Sequence, residues 1–134
     1  MTRIIDIEGI GAVYTEKLHQ HGVRTTERLL KIAGTKNGRE DLAGISGISE
    51  KLILEWVNLA DLMRIRGIGS EYSDLLEEAG VDTVKELRNR RADNLYQALV
   101  KVNEQKKLVR RIPSEKEVSD WIKQAASLAP AVSH

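Results

Sequence analysis

The chain has no cysteine among its 134 residues, so disulfides, thiolate ligands and thiol nucleophiles are excluded. It has no phenylalanine, and aromatic residues make up only 4% of it. A small core therefore recruits Tyr14, Tyr72, Trp56 and Trp121 for packing, with their polar tips near the surface, before any of them is free for base stacking. An excess of charge is missing too: 21 basic residues face 20 acidic ones, for a net charge of +1. The chain is thus neither a polycation nor an acidic tail, and any electrostatic targeting is local. The longest apolar run, LILEWVNLADLM, is broken by Glu55, Asn58 and Asp61, too often to span a bilayer. No N-terminal stretch resembles a signal peptide. The expectation is a soluble, cytoplasmic protein without a membrane partner.

Catalytic constellations are equally scarce. His19 and His21 stand two apart on an expected helix and point to different sides, and His134 is terminal, so no pair has metal-ligand spacing. Glu77 and Glu78 are sequence neighbours that read as surface charge and not as a matched acid and base. The expectation is a non-enzyme with no catalytic residues, no cofactor or metal, and no small-molecule substrate.

What the chain does have is a duplication. IEGIGAVY at 7–14 returns as IRGIGSEY at 65–72, an interval of 58 residues. The same interval pairs Leu18 with Leu76, Gly22 with Gly80, Val23 with Val81, Thr25 with Thr83 and Leu29 with Leu87. After seven inserted residues the match resumes, SEKLILEWV at 49–57 over SEKEVSDWI at 114–122, so that Trp56 corresponds to Trp121.

Each copy reads as helical. Leu95, Leu99 and Val102 recur at helical spacing, as do Val118, Trp121, Ile122 and Ala125, and strand patterns are absent. Thr83 with Glu86, and Ser114 with Glu117, have capping-box spacing, while Gly22 and Gly80, each followed by Val, fit left-handed helix stops. GTKNG at 34–38 reads as a loop. The expected fold is all-α, with roughly nine or ten short helices. They form two tandem repeats, 1–60 and 61–129, packed as one compact body, with a flexible tail at 130–134.

A short helix ending in Ile-x-Gly-Ile-Gly and followed at once by an amphipathic helix makes a hairpin. Its glycines permit positive φ and close backbone approach, and Ile10 or Ile68 anchors the turn in the core. Gly9, Ile10, Gly11 and small Thr15 resemble the pattern of the helix-hairpin-helix superfamily, as do Gly67, Ile68, Gly69 and small Ser73. With its paired Trp-bearing helices and the LMRIRGIG junction, nearly the whole chain is similar to the uncharacterised bacterial family called domain of unknown function 4332. The superfamily resemblance implies DNA binding without sequence preference, in which hairpin amides at a helix N-terminus hold a backbone phosphate. It makes Gly9, Ile10, Gly11, Gly67, Ile68 and Gly69 candidate contacts. Such amides have no intrahelical partner and sit at the positive end of the helix dipole.

The charges pull two ways. Neither hairpin carries its own cation: Val13 and Tyr14, then Glu71 and Tyr72, precede the small residue, and residues 67–82 hold five acids and no base. Further on, residues 85–111 carry a balance of +6. The candidate basic patch is Arg64, Arg66, Arg88, Arg90, Arg91, Lys106, Lys107, Arg110 and Arg111. A second, degraded hairpin stands in each copy, GISEK at 47–51 and IPSEK at 112–116, where Pro113 removes an amide donor. Two readings follow: a module that binds DNA through backbone phosphates, and a protein-interaction scaffold whose hairpins no longer bind DNA.

Overall fold

Ile4, Ile7 and Ile10 recur every third residue, as do Leu62, Ile65 and Ile68, and all six are buried. Each triplet climbs by the same turns. The Ile7 amide donates to the Ile4 carbonyl at 3.1 Å and Ile10 to Ile7 at 3.3 Å, while Ile65 donates to Leu62 and Ile68 to Ile65, both at 3.1 Å. Tight three-residue turns stack such side chains on one side, so each hairpin opens on an apolar column set into a core.

The computed structural model describes residues 2–134. Among them the fold is all-α: a 3-10 helix at Ile4–Asp6 is followed by α1 (Gly11–Gln20), α2 (Thr26–Ala33), α3 (Lys36–Ser46), α4 (Glu50–Leu62), α5 (Ser70–Glu78), α6 (Val84–Leu87), α7 (Ala92–Lys106) and α8 (Glu115–Ser127). An isolated bridge between Arg3 and Thr25 is the one extended pairing among the described residues. No helix among them is long and apolar enough to cross a membrane.

Helix ends follow the sequence signals. Gly22 and Gly80 are left-handed, at φ +78° and +94°. Val23 and Val81 donate back five residues to Leu18 and Leu76, both at 2.9 Å, and the glycine amides donate to His19 and Glu77, which closes a Schellman stop on α1 and on α5. Thr25 and Thr83 cap α2 and α6 by accepting from the amides of Arg28 and Glu86. At α8 the capping box is complete: Ser114 Oγ accepts from the Glu117 amide and Glu117 Oε1 accepts from the Ser114 amide.

GTKNG differs from its reading as a loop. Thr35 Oγ1 accepts from the Gly38 amide at 3.1 Å, and Lys36, Asn37 and Gly38 form the first turn of α3. A Cβ on Gly38 would stand 2.0 Å from the Ile32 carbonyl oxygen, so this glycine serves close packing and not chain flexibility.

Two compact units divide the chain. One runs to Asp61 and includes Ala131–His134; the other is Leu62–Pro130. In the first, Leu18, Val23, Leu29, Leu42, Ile53 and Trp56 are among the buried residues. Its last residues are held: the Ser133 amide donates to the Gly34 carbonyl, and the buried Arg39 guanidinium donates to the carbonyls of Ala33, Gly34 and Ser133. The second unit gathers Leu75, Leu76, Leu87, Leu95, Leu99, Val118 and Trp121 into one cluster, with Tyr72 packed at its margin.

Candidate functional site

The second hairpin is fixed from three sides. Gly67 is left-handed at φ +98°, and a Cβ there would stand 2.9 Å from Trp121 Nε1. Gln124 of α8 clamps the preceding residue, its Oε1 accepting from the Arg66 amide at 2.9 Å and its Nε2 donating to the Arg66 carbonyl at 3.0 Å. Beneath the turn, buried Ser73 donates through Oγ to the Ser70 carbonyl at 3.0 Å, the role for which a small residue is needed. Gly69 then opens α5 with extended backbone and no side-chain cap, so no cap side chain serves the first-turn amides of this nine-residue helix, which have no intrahelical partner.

An open pocket of about 460 Å³ lies over that helix end, lined by Gly67, Gly69, Ser70, Glu71, Tyr72, Arg110 and Arg111. The hairpin that brings no cation of its own thus receives two from the link between α7 and α8. Tyr72 joins the parts: its ring packs on Trp121 and its hydroxyl donates to the Arg111 carbonyl at 2.8 Å. Burial pushes the Tyr72 hydroxyl above its usual range, and Arg111 opposes that shift. Arg111 itself is committed, its guanidinium donating to both oxygens of Glu117 at 2.9 and 3.0 Å. This fork, helped by the Ser114 amide, holds the Glu117 carboxyl down at about 2 and raises Arg111. Arg110 is exposed, and no carboxylate among the described residues pairs with it.

The remaining basic candidates lie apart. Arg88, Arg90 and Arg91 sit where α6 gives way to α7, and Lys106 and Lys107 at the far end of α7, whose 15 residues separate the groups by roughly 22 Å. Two are ion-paired, Arg91 with Asp93 at 3.1 Å and Lys106 with Glu78. The Asn94 amide, ahead of the Arg91 charge, lowers the Asp93 carboxyl below its usual range. Arg64 and Arg66 precede the second hairpin, and Arg66 contributes backbone to the Gln124 clamp.

The first hairpin repeats the frame, but its copy has no counterpart of Arg110 and Arg111, since residues 47–49 between α3 and α4 carry no basic side chain. Gly9 and Gly11 are both left-handed, at φ +81° and +73°, whereas Gly69, the counterpart of Gly11, is not. Thr15 Oγ1 donates to the Gly11 carbonyl at 2.7 Å, and Tyr14 packs on Trp56. Val13 is 70% exposed, and Lys17 places its ammonium 5.8 Å from the centre of the Tyr14 ring.

Sequence reasoning missed Gln124 and Asn103, whose work is to hold backbone, and it read Glu117 as the acid of a capping box without its second partner, Arg111. The seven-residue insertion of the second copy was a signal only for the link that carries Arg110 and Arg111, where much of it lies.

These features define a class of all-helical proteins with two glycine hairpins, one of them faced by a cationic link. Residues 8–128 match the family model described as Domain of unknown function (DUF4332), and the chain belongs to that family. No curated protein and no solved structure matches it.

Proposed function

We propose that this protein is a non-catalytic, cytoplasmic module of helix-hairpin-helix type that binds DNA through backbone phosphates, without sequence preference. The observation that carries this reading is Arg110 beside the uncapped start of α5, in one pocket with Gly67 and Gly69. Open amides at the positive end of a helix, with one unpaired guanidinium alongside, suit a phosphate oxygen on charge and donor geometry. Such a contact reads no base. In this reading the second hairpin leads and the first is auxiliary, because Arg110 and Arg111 line the pocket of the second. Arg88, Arg90 and Lys107 add electrostatic attraction at the two ends of α7.

A second reading, the protein-interaction scaffold, draws on exposed Val13 at the first hairpin, where a phosphate-binding turn gains nothing from an apolar side chain. One titration separates the two: labelled single-stranded, duplex and branched DNA, each at low and at physiological salt. Binding at low salt that weakens log-linearly with added salt supports the phosphate reading. No affinity for any of the three at low salt removes it.

A further inference from the structure

The first copy joins α3 to α4 with three residues, 47–49, whereas the second joins α7 to α8 with eight, 107–114. A link of that length would ordinarily be mobile, yet this one is bonded along its course. Lys107 turns it left-handed at φ +52°, the only positive φ outside glycine among the described residues. Asn103 then grips Val109, its Oδ1 accepting from the Val109 amide at 2.9 Å and its Nδ2 donating to the Val109 carbonyl at 3.1 Å. Two residues on, the Arg111 carbonyl takes the Tyr72 hydroxyl and the Arg111 guanidinium takes both oxygens of Glu117. Arg110 lies between these fastenings and has no ion pair among the described residues.

We infer that Arg110 is the side-chain contact for the phosphate at the second hairpin, and that Asn103, Tyr72 and the Arg111–Glu117 pair are positioning residues that present it. The assignment rests on the phosphate reading. Its physical basis is preorganisation: a guanidinium whose flanking backbone is already fixed loses less freedom on binding than one on a loose loop. Arg111, adjacent and of the same type, is a fastening and not a contact, because its donors on the Glu117 side are spent.

The test combines two measurements on the intact protein. Binding of a short labelled duplex is followed across a salt series, and hydrogen exchange of the Val109 and Ser114 amides, the bonded ones of the link, is followed in the free protein. Arg110→Ala is expected to lower the logarithmic salt slope by about 0.9, one phosphate contact, with the melting temperature unchanged. Tyr72→Phe and Glu117→Gln are expected to speed exchange in the link and to weaken binding about 3- to 10-fold, as loss of one hydrogen bond predicts, with the slope retained. Tyr72→Phe is the milder change and carries the test if Glu117→Gln fails to fold. If the unmodified protein does not bind at low salt, the phosphate reading falls and the assignment with it. If it binds and Arg110→Ala changes neither affinity nor slope, the phosphate reading stands and the assignment is overturned. Link exchange or binding that is indifferent to Tyr72→Phe overturns the positioning role alone.

Discussion

The ring of Tyr72 lies 5.3 Å from that of Trp121, with an interplanar angle of 50°. The same pairing stands in the first unit, where Tyr14 and Trp56 are 5.1 Å apart at 56°. In each case a half-buried tyrosine from the first turn of a hairpin helix covers a buried tryptophan from a later helix, a tilted contact that aromatic quadrupoles favour. What distinguishes the second pair is the hydroxyl, whose bond to the Arg111 carbonyl ties the core to the pocket.

Dissecting that side chain separates its two roles. Tyr72→Phe keeps the ring contact and loses the bond, for an expected cost of about 0.5–1.5 kcal/mol. Tyr72→Leu loses the aromatic pairing as well, for about 0.5–1.5 kcal/mol more. Urea denaturation measures both, and equal stabilities for the two variants would show that the ring contact contributes nothing.

The glycines of the second hairpin are predicted to differ sharply. Gly67→Val imposes a side chain on a left-handed residue and drives it into the buried Trp121, so stability should fall by about 1 kcal/mol or more. Gly69→Ala meets nothing within 4 Å and sits in backbone open to any residue, so its cost should stay within about 0.5 kcal/mol. Thermal melts that rank the two the other way round would refute the assignment of the turn to Gly67.

Glu117 gives a pH dependence with a definite sign. Its carboxyl is held at about 2 in the folded chain against an ordinary 4.5, chiefly by Arg111 and then by the Ser114 amide. A lowered folded-state value means that the unfolded chain takes up the proton first, so the stabilisation is complete above pH 4.5 and is lost as pH falls toward 2. Both side chains are partly exposed, at 66% and 37%, so screening keeps the effect to about 1 kcal/mol or less. Melting temperatures of the wild type and of Glu117→Gln should therefore converge between those pH values. Curves that stay parallel would show the fork to be energetically idle.

Much of the all-α fold was legible because its signals are local. Gly22 and Gly80 stop helices, Thr83 and Ser114 start them, and Trp121 recurs at helical spacing with Val118 and Ala125. GTKNG was misleading because its two glycines look like a loop, whereas Gly38 is needed for a helix turn pressed against the Ile32 carbonyl. Legibility ended at the pocket. Arg110 and Arg111 lie some forty residues from Gly67, and nothing local in either segment announces that they meet. The +6 segment looked continuous on paper, but α7 carries its two ends to opposite poles.

Glu71 offers a test of charge inside the pocket itself. It lines the same space as Arg110 and stands in the first turn of α5, where it gains from the helix dipole but repels a phosphate. Glu71→Gln should tighten binding to duplex DNA while leaving the number of phosphate contacts, and so the salt slope, unchanged. Weaker binding in this variant would mean that the carboxylate assists the ligand, and would turn attention to basic protein partners.

Charge reversal at the two ends of α7 separates their contributions. Arg88, Arg90 and Arg91 are three cations at one end, yet Arg91 already donates to Asp93, so it has less to give a phosphate than its neighbours. Replacing all three by Glu is therefore expected to lower the salt slope on duplex DNA by about 1.8, two contacts, and not by about 2.7. The loss should be the same for every DNA sequence, because these contacts touch no base. Helicity should survive, since the three lie outside the buried cores. The companion variant, Lys107→Glu with Arg110→Glu, acts at the pocket end, and there the loss of affinity should exceed that of the triple variant, because the amides of α5 lose their partner cation too. If the triple variant is the weaker binder, the start of α7 is the principal site and the second hairpin only assists.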